Sequence, residues 1–265
     1  MIRLLALALV LAGCAAPLSQ APPSGMPASV PAPEIRVGDA WTYRVRDGFT
    51  GLHRGEQREE VTAIDGDIVT VRITGAIERG DGVHIYDREW NWLRRPATNL
   101  QTFEYRPAYQ AFDFPLEPGK RWRQRLIATD PEDGRRFPVW IDGTVQGWER
   151  VKVPAGEFDA LKVERRVYFE YWEYAVRGRS QIHELEWYAP MAKHSAKREM
   201  RSRYWRLIAS NEGVPGLVLV KSGRSSAGKG SRGLLRARGG RDDDGGPRYV
   251  DDDWLVYELV SYVVR

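Results

Sequence analysis

The sequence predicts an all-β fold built on one curved antiparallel sheet, and three observations carry that expectation. Apolar residues recur with a period of two over long stretches, the spacing of a pleated strand with one buried face. Pairs that favour turns, such as Asp65-Gly66, Pro118-Gly119 and Asp133-Gly134, separate those stretches at short intervals. The chain also carries ten Trp, twelve Tyr and seven Phe, and strand-rich proteins use such rings on half-buried faces. The clearest stretch runs from Val139 to Trp172. Val139, Ile141, Val145, Val151 and Val153 share one parity, and after Phe158 restarts the pattern Leu161, Val163, Val167 and Phe169 form a second row on one parity. Between the two arms Pro154 cannot donate to a ladder, and Gly156 tolerates backbone angles that a Cβ forbids, so PAGE reads as a turn. A lone hairpin is marginal in water. This one is expected at the centre of the sheet.

Taken in order, residues 14–34 are rich in Pro, Ala and Ser and read as a tether, partly extended by its prolines. The β-domain is expected over 35–265. Its first strand places Trp41, Tyr43 and Val45 on one face, and a polar loop carrying His53 follows. A hairpin turning at Asp65-Gly66 comes next, with Val69, Val71 and Ile73 as the buried row of its second arm. GVHIYDREWNWL reads as one strand, with His84, Tyr86, Trp90 and Trp92 on one parity. Pro96 to Phe114 reads as irregular. A strand near Trp122 to Ala128 leads through TDPEDGRR into the central hairpin, and SQIHELEWYAP ends at Pro190. From Ala192 to Ile208 the apolar spacing of four favours a helix, whereas the position favours the return arm of a hairpin; a strand is expected. From about 214 to 253 Gly, Ser and Arg dominate and then aspartates. That composition offers little to bury, so a long disordered loop is expected before the last strand, which carries Leu255, Tyr257 and Leu259.

The amino terminus, MIRLLALALVLAGC, places Arg3 before an apolar run too short for a bilayer span and suited to a secretory signal. LAGC resembles the bacterial lipoprotein box, which implies a signal peptide over 1–13 and acylation of Cys14. The alternative is an ordinary signal peptide with an incidental thiol. Cys14 is the single cysteine of the chain, so no intramolecular disulfide can form. Ala15 and Ala16 follow it, with no aspartate there, so by resemblance the anchor belongs on the periplasmic face of the outer membrane. The 40 basic and 36 acidic residues nearly balance. That balance, with export, argues against nucleic acid as a partner.

GDAWTYRV, FPLEPGKRW, VPAGEFDALKVE, EWYAP and the terminal YELVSY together resemble an uncharacterised family of exported all-β domains of Gram-negative bacteria, labelled a domain of unknown function. The resemblance spans most of Val37 to Tyr262. It implies a fold similar to the half-open β-barrel of lipoprotein-carrier and lipoprotein-receptor proteins. MAKHSAKRE departs from the family's usual glycine and V-K-x-E-like strand after WYAP. The family supplies no catalytic residue to carry over.

The residues themselves offer no enzyme either. Gly223 to Lys229 has the spacing of a phosphate loop, but Gly230 stands where its Ser or Thr belongs and no parallel α/β unit surrounds it. His53, His84, His183 and His194 have no metal-ligand spacing. There is no G-x-S-x-G elbow. Glu59 and Glu60 are neighbours on a strand and point to opposite faces. No cofactor is expected. The aromatic stock has two readings: a filled core, or a concave apolar cavity lined by Trp90, Trp92, Trp140, Trp148 and Trp172 that takes a lipid or acyl chain. Two functions follow. One is a non-enzymatic, membrane-anchored lipoprotein binding or carrying a lipid-like or envelope ligand. The other is a structural or interaction lipoprotein engaging another envelope protein. An internal apolar cavity favours the first, a filled core the second.

Overall fold

The computed structural model describes residues 25–75, 82–97, 102–173, 176–206 and 248–265, with backbone only for 171–173, 176–178, 205–206 and 248. Cys14 and the phosphate-loop-like stretch 223–229 lie outside the described residues. The strands are β1 (Ala40–Asp47), β2 (His53–Asp65), β3 (Ile68–Gly75), β4 (Val83–Tyr86), β5 (Trp92–Pro96) and β6 (Thr102–Tyr109). They continue as β7 (Arg121–Thr129), β8 (Arg136–Val153), β9 (Gly156–Glu173), β10 (Val176–Ala189), β11 (His194–Arg206) and β12 (Arg248–Val263). A short 3-10 turn, Pro190–Ala192, precedes β11. Each strand pairs antiparallel with its neighbours in sequence, and β12 pairs with β1.

That last pairing corrects the expectation of a half-open sheet. β12 lies between β11 and β1, with Ala40 opposite Val263 and Asp47 opposite Leu255, and the sheet closes into a barrel. Half-openness entered with the family resemblance. Closure depends on the first and last strands meeting, a contact that no local pattern encodes.

The central hairpin forms as its parity rows require. β8 and β9 pair from Val139 opposite Phe169 to Val153 opposite Gly156, and Gly156 has φ +131°. The turn folds onto the barrel end, where Ala155 N donates to Leu259 O at 2.9 Å. The strand expected over 192–208 is β11. GVHIYDREWNWL, by contrast, is two strands. Asp87 breaks it: Oδ1 accepts from Glu89 N (2.8 Å) and Asn91 N (2.9 Å), and Trp90 in this turn has φ +62°. The stretch expected to be irregular contains β6, which turns Phe103 and Tyr105 inward to be buried. Val30, within the expected tether, is buried and exchanges main-chain hydrogen bonds with Leu116 at 2.9 and 2.8 Å. β12 begins inside the expected charged loop, because its aspartates have partners: Asp251 lies 3.1 Å from both Arg201 and Arg203, and Ser202 Oγ donates to Asp252 at 3.3 Å.

The antiparallel order sorts the connections to two ends. The turns after β2, β4, β6, β8 and β10 lie at the end where the chain enters β1, here the near end. Loops 48–52 and 130–135 lie at the far end. The lumen holds the core, including Tyr43, Val71, Tyr105, Leu126, Val139, Val163 and Leu259. Outward positions are charged: Arg58, Arg72, Arg123, Arg125, Asp142, Arg166 and Arg203 are exposed. A membrane-spanning barrel has the opposite pattern, with an apolar band outside. Among the described residues no helix is long and apolar enough to cross a membrane.

Candidate functional site

Five charged side chains stand in rows that are otherwise mostly apolar, and register brings those five together. Arg165 interrupts the row Leu161, Val163, Val167, Phe169. Glu184 and Glu186 stand between Ile182 and Tyr188, Arg198 follows Ala196, and Glu59 precedes Val61. Pairing places Arg165 opposite Glu184, Glu186 opposite Arg198, and Arg198 opposite Tyr257. All five ionisable side chains are at most 7% exposed. Ions so buried persist only when paired and hydrogen-bonded.

Arg165 is the hub of one half. Its Nε donates to Glu184 Oε2 at 2.6 Å, its Nη2 to Glu186 Oε2 at 2.7 Å, and its Nη1 to Ala111 O at 2.7 Å. Tyr109 donates to Glu184 Oε2 at 2.7 Å, and its ring stacks on Trp92 with centroids 4.0 Å apart. In the other half Arg198 Nη2 donates to Glu59, which also accepts from Gln57 at 2.9 Å. The Arg198 guanidinium lies between Tyr43 (4.3 Å) and Tyr257 (4.8 Å). Ser195 joins the halves, its Oγ donating to Glu186 Oε1 at 2.6 Å. A third arginine, the partly buried Arg95, covers Trp92 at 4.0 Å.

His194 sits at this junction among Trp41, Trp90 and Tyr43. Ser195 N donates to its Nδ1 at 2.8 Å, so the neutral ring carries its proton on Nε2. Tyr43 OH donates to Ser195 O at 2.8 Å. Burial drives the His194 pKa down to about 4, against the opposing pull of Glu59. Burial alone would raise Glu59, but Arg198 and His194 outweigh it and hold the carboxyl at about 2. Burial likewise works to raise Glu186, and Arg165 and Arg198 overcome it. Burial pushes the Tyr43 and Tyr109 hydroxyls far above their ordinary range.

Most of the hydrogen-bonding capacity of the arrangement is used internally, with Glu184 Oε1 and Arg198 Nε buried without a hydrogen-bond partner among the described residues. His194 Nδ1 is taken up by its neighbour's N–H, and its Nε2 is 3.9 Å from Glu59. Ser195 is 0% exposed and donates its hydroxyl to Glu186, and the hydroxyl beside the imidazole is that of Tyr43, 3.1 Å from Nδ1. Among the described residues no group of three or more His, Cys, Asp or Glu is placed to hold a metal. Glu59 is buried and Glu60 points outward, as expected for strand neighbours.

The tryptophans named from sequence differ in placement. Trp90 and Trp92 are buried in the lumen: Trp90 packs edge-on to Tyr86 and Trp41 and donates to Lys193 O at 2.9 Å, while Trp92 stacks on Tyr109. Trp148 is also buried, past the irregularity in β8 at Val145 and Gly147. Trp140 is half-buried, beneath the exposed Arg125 at 5.3 Å. Trp172 stands opposite Arg177 in the β9–β10 register, and its side chain lies outside those described. The ion pairs were missed although the signal was present, because a charged residue on an otherwise apolar inward parity marks a buried ion.

The outer wall of β9–β11 carries a shallow groove of about 300 Å3, lined by Arg166, Tyr168, Gln181, His183, Arg201 and Arg203. Glu164 pairs with Arg166 and His183, and Asp251 with Arg201 and Arg203.

No protein-family model matches the chain, and no curated protein matches it. Solved structures similar to it include a protein of Parabacteroides distasonis assigned as a lipoprotein, 10% identical over 88% of this chain and 99% of that one, with a TM-score of 0.42. A second is an exported protein of Bacteroides fragilis described as having a YmcC-like fold, 16% identical over 65% of this chain and 91% of that one, with a TM-score of 0.37. The hypothetical lipoprotein YmcC of Escherichia coli is 11% identical over 61% of this chain and 75% of that one, with a TM-score of 0.38.

Proposed function

We propose that the chain is a lipid-anchored, non-enzymatic protein of the bacterial cell envelope that acts through the outside of its barrel on another envelope component. The anchor is Cys14, and Ala15 and Ala16 after it support a place on the periplasmic face of the outer membrane. The observation that carries the choice of outside over inside is the buried network. Arg165 and Arg198 with Glu59, Glu184 and Glu186 occupy the lumen where a carrier needs apolar space. An acyl chain laid there must separate ions that are already out of water, and breaking one such buried pair costs about 3–5 kcal/mol. The charged outer wall fits a domain standing in water beside the membrane.

Mass spectrometry of the protein extracted from membranes in mild detergent tests both halves. Under denaturing conditions the expected mass is that of the chain from Cys14 with a diacylglyceryl thioether and an amide-linked acyl group; the Cys14→Ser chain should lack them. A native spectrum should show nothing further bound. An unmodified chain overturns the anchor. A stoichiometric lipid-like ligand overturns action from the outside and restores a carrier.

A further inference from the structure

We infer that the near end of the barrel is the face that rests on the bilayer, with Met191, Val37 and Val263 seated at the level of the phospholipid headgroups. The inference rests on the anchor at Cys14. These three residues are 73%, 50% and 54% exposed, and Ile68, at 46%, lies at the same end. Of the large apolar side chains that the described residues leave exposed, these four lie at the near end, against Phe49 and Leu52 at the far end and Tyr168 on the wall.

That rim is held as one rigid surface. Lys193 Nζ donates to Glu34 O at 2.8 Å and to Arg265 O at 2.6 Å, tying the turn that carries Met191 to both ends of the domain. The buried carboxylate of Asp39 accepts from Arg36 N at 2.9 Å and from Arg265 N at 2.8 Å. The Arg265 guanidinium lies against Gly38, where a Cβ would meet its Cζ at 2.9 Å. Segments 34–39, 191–193 and 263–265 are thereby contiguous. Lys193 and Arg265 border the apolar residues, with Arg36 beside them paired to Glu34 at 2.8 Å, and long basic side chains at a membrane surface keep apolar stems low and bring charge to the phosphates.

The occupant follows from where the chain arrives. The segment from Gly25 crosses this end, bridging Leu116 through Val30 before it enters β1. From Cys14 to Gly25 the chain can span at most about 40 Å, so the anchor leads to this end of the barrel. The walls cannot enter lipid, because their outward rows are charged. The groove on the outer wall is a weaker candidate, since Glu164 and Asp251 already match its cations.

The test uses the full acylated chain in vesicles of phosphatidylethanolamine and phosphatidylglycerol. Met191→Cys, Val263→Cys and Leu52→Cys would each carry a nitroxide; Leu52, 65% exposed, reports the far end. The thioether at Cys14 blocks the one native thiol. Power saturation should show the labels at 191 and 263 severalfold less accessible to a water-soluble nickel relaxant than the label at 52, and more accessible to oxygen. Equal accessibility at the two ends overturns the inference, as does a far-end label buried in preference to the near-end ones. Labelling of the parent chain at Cys14, or its failure to stay with the vesicles, removes the anchor itself and the inference with it.

Discussion

Arg165→Met removes the hub of the buried network while keeping most of the side chain's apolar volume. The substitution deletes a 2.6 Å bond to Glu184, a 2.7 Å bond to Glu186 and a 2.7 Å bond to Ala111 O. It leaves two carboxylates side by side in a lumen where both are almost fully buried. Removing one partner of a buried pair costs about 3–5 kcal/mol, because the other stays charged without compensation. A domain typically has only about 5–15 kcal/mol to lose. The loss must also depend on pH. In the parent, Glu186 is held below its ordinary range, so its contribution is present above the unfolded pKa and is lost as pH falls below it. Without Arg165 burial prevails, and the folded pKa moves above the unfolded one. Its contribution is then complete below the unfolded value and is lost as pH rises through the folded one. Urea unfolding at pH 8 and pH 5 should show the larger loss at pH 8, and Glu184→Gln with Glu186→Gln should recover part of it. A loss below about 1 kcal/mol at pH 8, the size of an exposed pair, would refute the reasoning and mean that water reaches the network.

Three further outcomes follow from the geometry. His194 has a folded pKa of about 4, well below its ordinary value, so the unfolded chain takes up that proton first. Stability should fall as pH drops from about 6.5 to 4, by up to about 3 kcal/mol. In His194→Asn, whose Oδ1 can accept the Ser195 N–H, melting temperature against pH should lose that segment of slope. In Gly143→Ala the new Cβ would lie 2.1 Å from Trp122 Cε2, and overpacking should cost about 1–3 kcal/mol; calorimetry should find less of that cost in a Trp122→Leu background. In Gly156→Val the φ of +131° at the β8–β9 turn forces a branched residue into strain worth about 1–3 kcal/mol. An unchanged thermal midpoint would mean the turn can relax.

Where the pattern was local, the sequence was legible. Parity alone placed Val139, Ile141, Val163 and Val167 in the lumen and put the PAGE turn between β8 and β9, because a pleat admits one face per parity. Asp87 hid the break between β4 and β5. Trp90 and Trp92 keep the parity of Tyr86, so the row looks continuous, and the turn is made by a carboxylate bonding main-chain N–H groups rather than by Gly or Pro. β6 was obscured by Pro107 within it and Pro96 before it. The network is hidden in plain rows: Arg165 stands between Val163 and Val167, and a single charge leaves the apolar period of the row intact. What it pairs with depends on register between β9, β10 and β11, which is set by the whole sheet.

A lumen that the protein's own buried ions close to water protects the Arg165 side chain, which reports on that closure directly. Its Nε–H, bonded to Glu184 at 2.6 Å, should give a cross-peak in a nitrogen-15 side-chain spectrum that persists at pH 8. Arg165→Lys should remove that peak alone. If every arginine Nε–H exchanges with water at the rate of a free guanidinium, the lumen is open and the network cannot exclude a ligand.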